Sequence, residues 1–508
     1  MNRHYGVLLH ITSLPGGLIG TFGAEARQFV DTLAAAGYDR WQVLPLTPPD
    51  SGGSPYSSVG AFALSRLCID LPTLVEDGLL DRVPPEPKKP KKPKGKAAAK
   101  GADLTAAGVD YHAARAYVDG ALDTVHTRIK AGLLPEIKAE MAGRLESEHW
   151  LLPYARFVAR VRDIGHDDWA RWPKGTRAST GGAAKAWDSV HKPAVDRVVL
   201  EQTLALKQWT ALRAYANEHG VGIVGDVPIF VAGGSADVWA NPDQFDLDET
   251  HRPVHVAGVP PDYFSETGQF WGNPLYDWDT MQADGFSWWL ARFENAFTRF
   301  DEVRVDHFRG FDAFWQIPQD HETAMNGQWK QAPGAALFDA AVERLGERFG
   351  ADLAKQDDPR PLPIIVEDLG TITPGVEALR DRYDFPGTRV LQFGLGEDLT
   401  NPHRHVNIPE NAVAYTGTHD NETTRGWYVA LSEHNQWLAR ETFFAQGEHD
   451  IAASVRGIAN RSPAAWVISP LQDLMNLGNE ARMNTPGTVV GNWTWRLTEI
   501  PEIPKAGE

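Results

Sequence analysis

The chain is poor in cysteine, in long apolar runs and in positive charge, and each shortage removes a class of protein. Its 508 residues include one cysteine, Cys68, so no intramolecular disulfide framework exists and a reducing compartment, the cytoplasm, is expected. The apolar stretch Val7–Ile11 breaks at Ser13-Leu14-Pro15, too short for a secretory signal. No later run approaches the roughly 20 apolar residues of a spanning helix, so no membrane partner is expected. Acidic residues outnumber basic ones 67 to 49, and the net charge of −18 repels a nucleic-acid backbone. Also missing are a G-x-x-x-x-G-K phosphate loop, a dinucleotide fingerprint and a G-x-S-x-G nucleophile elbow.

A neutral polymer such as a glucan is indifferent to that charge, and the 18 tryptophans suit one, because flat rings stack on the apolar faces of sugars. With 42% hydrophobic residues the chain has material for a large core. Pro84–Lys100 reads PPEPKKPKKPKGKAAAK, without apolar periodicity or aromatics, and its prolines and like charges favour an extended, solvated run over about 84–103. It is either a polybasic tether or a surface loop insertion. The absence of an evident folded basic face favours the insertion.

Short β-branched runs alternate with longer helical patterns. Candidate strands are Tyr5–Ile11, Trp41–Leu46, Gly222–Val227, Glu302–Val305, Pro363–Val366, Arg389–Phe393, Ala412–Thr416 and Ala465–Ile468. Amphipathic stretches such as Phe22–Gly37, Leu204–His219 and Ser287–Phe300 lie between them. Apolar strands separated by helices predict a parallel sheet covered on both faces, and eight of them predict an α/β fold of the (β/α)8 TIM-barrel type. Residues 60–210 are too many for one βα loop and predict an inserted, mainly helical subdomain. The Gly/Ala/Ser-rich patch near Thr176–Lys185 reads as loop.

Active sites of such barrels sit at the C-terminal ends of the strands. Four candidate strands end there in acids: Asp226, Asp306, Glu367 with Asp368, and Asp420 in the segment THDN. One such acid alone is readily a helix N-cap; four on one sheet point to a shared pocket. Residues i and i+2 of a strand share a side, so Arg304 and Asp306 point inward together, and the guanidinium favours an ionised Asp306 fit for nucleophilic attack. A purely structural ion pair is the alternative. A carboxyl near other carboxylates resists ionisation, which suits Glu367 to proton transfer. Asp368 faces the other way and is expected to cap the next helix. His419 and Asp420 have the chemistry of metal ligands, of a triad fragment or of sugar-hydroxyl ligands. The pairs His251/His255 and His403/His405 sit in loop-like sequence rather than on strand ends, and no metal or cofactor is expected.

The strings GVLLHITSLPG, SPYSS, GDVPIFV, PPDYFSETGQFWGNPLY, VRVDHFRGF, VEDLG, TGTHDN, RMNTPGT and GNWTWR resemble the amylomaltase, or disproportionating-enzyme, family of 4-α-glucanotransferases, relatives of the α-amylases. The resemblance covers nearly the whole chain apart from the Lys/Pro-rich run. It implies a (β/α)8 barrel in one catalytic unit over 1–508, with a second insertion over 231–285, and no metal or organic cofactor. It implies transfer of α-1,4-glucan segments between maltooligosaccharides, amylose or glycogen. By the same resemblance Asp306 matches the nucleophile, Glu367 the acid/base and Asp420 the transition-state stabiliser. Asp226, Arg304 and His419 match substrate-positioning residues, Tyr56 a ring that stacks on the cleaved sugar, and Gln269 and Trp271 a loop over the site. A hydrolase of the α-amylase type shares the three carboxylates, whereas a non-catalytic glucan-binding protein is expected to lack one.

Overall fold

Eight short strands form a closed parallel barrel in a computed structural model that describes residues 3–87, 108–261, 266–354 and 358–508. Expectations for the Lys/Pro-rich run beyond residue 87, and for residues 262–265 of the PPDYFSETG string, lie outside the described residues. The described residues carry twelve strands: β1 (His4–Leu8), β2 (Arg40–Gln42), β3 (Gly222–Val227), β4 (His255–Val259), β5 (Gln269–Pro274), β6 (Glu302–Val305), β7 (Ala313–Pro318), β8 (Gln328–Gln331), β9 (Ile364–Val366), β10 (Gly387–Val390), β11 (Ala412–Tyr415) and β12 (Trp466–Pro470). The barrel runs β1-β2-β3-β6-β9-β10-β11-β12 and closes where Tyr5 pairs with Val467. Each of the eight predicted strands is one of these, shifted by a few residues at most.

Alternation along each strand sorts its side chains between two cores. Val224, Ile365, Val390, Val413, Tyr415 and Ile468 pack together inside the barrel. Ile223, Val303, Val305, Ile364 and Val366 pack outward in the larger cluster shared with the helices. In the β6–β9 register Arg304 stands beside Ile365 and Val305 beside Val366. The inward parity of Ile365 therefore passes to Glu367, and the outward parity of Val366 passes to Asp368.

Between β2 and β3 the chain builds helices Leu71–Glu76, Tyr111–Lys130, Pro135–Ser147, Leu151–Ile164, Lys174–Arg177 and Gly181–Glu218. The last spans 38 residues with Pro193 inside it. It packs on the preceding helices and on β3. The loop expected near Thr176–Lys185 is thus corrected: only residues 178–180 separate the helix ending at Arg177 from the one beginning at Gly181. Ala183, Ala184, Lys185 and Ala186 are strong helix formers, and Trp187 buries that turn under the Arg160 guanidinium, 3.9 Å from its ring.

A second sheet, antiparallel in the order β5-β4-β7-β8, was not anticipated. The crossover from β10 to β11 contains only the 3-10 turn Leu391–Gly394. No helix among the described residues is long and apolar enough to cross a membrane.

Candidate active site

The C-terminal ends of β3, β6, β9 and β11 bring their acids to one mouth. Arg304 on β6 is buried and forked between two of them, donating at 2.7 Å to Asp226 Oδ2 and lying 2.8 Å from Asp306 Oδ1. Burial raises the Asp226 carboxyl to about 7 against the pull of Arg304, and Asp306, which shares the guanidinium, adds to the rise. The Tyr56 hydroxyl also donates to Asp226 Oδ2, at 2.7 Å, while Asp226 Oδ1 is buried without a partner. Burial and the neighbouring Asp226 lift the Tyr56 phenol well above its ordinary value, so it stays a donor.

Glu367 follows β9 and meets the residue beside Asp306. Its Oε2 accepts the His307 N–H at 2.8 Å and its Oε1 the Leu369 N–H at 3.1 Å. Desolvation, then the Asp306 charge, raises the Glu367 carboxyl to about 7, although Arg304 and the His307 N–H oppose the shift. His307 reaches this position in the left-handed region, φ 49°, where a non-glycine residue is uncommon. Burial pushes its imidazole down to about 3, so the ring is neutral.

Asp420 lies in the turn after β11. The Thr418 N–H and hydroxyl both donate to Asn421 Oδ1, at 2.9 and 2.8 Å, and close the turn. Asp420 Oδ1 accepts from Asn484 Nδ2 at 2.6 Å, and Oδ2 is 3.4 Å from His419 Nε2. His419 is buried, which lowers its pKa despite the opposing Asp420 charge. Its ring stacks on Tyr56 at 5.3 Å between centroids and 10° between planes, with Trp493 5.7 Å from Tyr56.

Trp271 of β5 presents its ring edge-on to His307 at 4.9 Å, and its Nε1 donates to Gln269 Oε1 at 3.2 Å. All nine residues singled out from the sequence thus join one connected constellation, Gln269 through Trp271. None of the four inward acids caps a helix.

Asp368 is a correction. It accepts from Thr388 N at 2.7 Å and pairs with Arg380 at 2.7 Å and Arg389 at 3.1 Å, while Thr373 holds the N-cap position of the following helix. That helix starts at Pro374, too far along the chain for Asp368 to cap it. The expectation that the histidine pairs avoid strand ends is corrected for His255, which opens β4 and pairs with Asp246 at 2.7 Å, while His403 Nδ1 accepts from Val390 N.

Sequence reasoning assigned no role to His307, Arg482, Asn484 or Trp493. RMN and GNWTW stood in the sequence as strings without function, and no local pattern showed that they return to the Asp420 turn.

Comparison with known proteins covers nearly the whole chain. The 4-alpha-glucanotransferase family model matches residues 9–501. A 4-alpha-glucanotransferase from Thermus thermophilus is 43% identical over 514 residues, covering 99% of this chain and 97% of the relative. One from Synechocystis is 42% identical, covering 97% and 94%. A solved amylomaltase from Streptococcus agalactiae, in complex with acarbose, superposes with a TM-score of 0.85 at 34% identity, covering 98% and 95% of the two chains. An amylomaltase from Corynebacterium glutamicum, 18% identical with a TM-score of 0.70, shares the fold. Matched from end to end by family model and relatives alike, the chain belongs to the 4-alpha-glucanotransferase family.

Proposed function

We propose that the chain transfers α-1,4-glucan segments between maltooligosaccharides, amylose or glycogen by a retaining double displacement. The observation that supports this most is the hydrogen bond from the peptide N–H of His307, the residue after Asp306, to Glu367 Oε2, which ties Glu367 to the strand end carrying Asp306, whose charge bears on the Glu367 carboxyl. Retaining enzymes use two carboxyl groups about 5–5.5 Å apart, one attacking the anomeric carbon and one protonating the departing oxygen.

Asp306, oriented by Arg304, attacks the anomeric carbon as the glycosidic C–O bond breaks. Glu367, protonated near neutral pH, delivers its proton to the leaving 4-oxygen. The resulting β-linked glucosyl-enzyme then meets an acceptor. The carboxylate of Glu367 removes the acceptor 4-hydroxyl proton, and attack restores the α linkage and frees Asp306. Asp420, held by Asn484, binds the 2- and 3-hydroxyls of the distorted ring, with contacts that tighten at the transition state. Tyr56 and His419 form an aromatic wall beside that ring, with Asp226 and Arg304 beneath. Trp271 and Gln269, on the sheet beside the mouth, favour sugar over water as acceptor. The cytoplasm suits the lone buried thiol of Cys68.

Incubation with maltotriose tests the reading. Transfer yields glucose and longer maltooligosaccharides at a nearly constant number of reducing ends, whereas hydrolysis raises that number steadily. Asp306→Asn removes nearly all turnover; a variant that keeps substantial activity refutes Asp306 as nucleophile.

A further inference from the structure

The carboxylate of Asp420 owes its position to a segment more than sixty residues further along the chain. Arg482 Nη2 donates to the main-chain oxygen of Asp420 at 2.7 Å, and Arg482 Nε donates to the main-chain oxygen of Asn484, also at 2.7 Å. The Asn484 N–H donates to the oxygen of His419 at 3.1 Å, and its side chain to Asp420 Oδ1 at 2.6 Å. The guanidinium thus ties together the two peptide units whose side chains meet at Asp420 Oδ1. Met483, between them, is buried and accepts the Trp493 N–H at 2.7 Å, and Trp493 stands by the Tyr56–His419 stack. Arg482 makes no ion pair among the described residues, and the two donors it engages both go to main-chain oxygens. Neither of those oxygens belongs to a group that carries charge or reacts.

We propose that Arg482 is a positioning residue for Asp420, fixing the height and rotation of its carboxylate through the Asp420 and Asn484 carbonyls. The planar fork is what makes this possible. Two donors of one rigid group reach two carbonyls at a set separation, which a flexible ammonium does not reproduce. The inference rests on the reading of Asp420 as transition-state stabiliser. A carboxylate displaced by about 1 Å still binds a ground-state sugar through its neighbours but loses contacts that form only at the transition state, a loss on the order of 100-fold.

The test compares Arg482→Ala, Arg482→Lys and Asp420→Asn with the parent enzyme on maltotriose, with Tm measured for each. Arg482→Ala is expected to lower kcat about 100-fold, with KM and Tm close to parent, and added guanidinium to restore part of kcat. Arg482→Lys is expected to show an intermediate kcat at parental KM, and decides the question alone if the alanine variant does not fold. A parental kcat in Arg482→Lys, a loss confined to KM, or no recovery with guanidinium in a folded Arg482→Ala overturns the proposal. If Asp420→Asn abolishes turnover while the Arg482 variants keep the parental kcat, only the positioning role falls. If Asp420→Asn is fully active, the reading of Asp420 falls with it.

Discussion

Arg304 on β6 and Asp306 just past its end stand two residues apart, and their side chains meet at 2.8 Å while the other terminal nitrogen of Arg304 holds Asp226 at 2.7 Å. One buried guanidinium therefore orients both the proposed nucleophile and the residue under the cleaved sugar. Arg304→Lys keeps the charge but supplies a point donor in place of a fork. A misplacement of about 1 Å at reacting groups typically costs on the order of 100-fold in rate, so kcat/KM on maltotriose is expected to fall by about that much. A Lys variant with near-parental kcat/KM would show that the fork is structural.

Glu367 must carry its proton to act on the first step, and desolvation beside Asp306 raises its carboxyl to about 7. The sign follows directly: the active form is present below pH 7 and is lost as pH rises through it. Besides Asp306, the groups that bear on Glu367 are Arg304, Asp368 and the His307 N–H. The rate of glycosyl-enzyme formation from maltotriose is expected to fall on the alkaline side with a midpoint near 7. With α-maltosyl fluoride, whose leaving group needs no proton, that limb should vanish and Glu367→Gln should still form the intermediate. An alkaline limb that persists with the fluoride assigns the titration to another group.

Trp271, partly exposed, meets His307 edge-on at 4.9 Å. Trp271→Ala removes an apolar wall between solvent and the intermediate. The ratio of new reducing ends to glucose released from maltotriose is expected to rise severalfold. An unchanged ratio would place water exclusion elsewhere.

Gly225 precedes Asp226 on β3, and a methyl group there would lie 2.3 Å from the Phe300 ring. That ring is buried and belongs to the outer core. Gly225→Ala is expected to destabilise the protein by about 2 kcal/mol, read as a lowered Tm. A parental Tm would show that Phe300 yields without strain.

The barrel was legible because its strands are short, mostly apolar runs separated by helical patterns, some of them leading directly into an acid, a pattern visible without any tertiary information. Glu302–Val305 followed by Asp306 and Ile364–Val366 followed by Glu367 are of this kind. The antiparallel sheet was not legible, since β8 is the exposed QWKQ and β5 carries both Gly272 and Pro274, and neither reads as a strand. Asp368 and Asp226 look alike in sequence. Only strand parity, fixed by which neighbour packs inside, sends one to Arg380 outside and the other to Arg304 within. His307 escaped notice because nothing local marks its left-handed backbone, and Arg482 and Asn484 because their partner Asp420 is 62 and 64 residues away.

The helix Gly181–Glu218 packs both on the helices that precede it and on β3. Within it, Glu201 is clamped by Arg197 at 2.5 Å and by Arg162 of the neighbouring helix at 2.6 Å. A rod held in common by two layers gives neither one a melting point of its own. Calorimetry should accordingly record one heat-absorption peak for the whole chain, and mild proteolysis should release no stable fragment ending inside this helix.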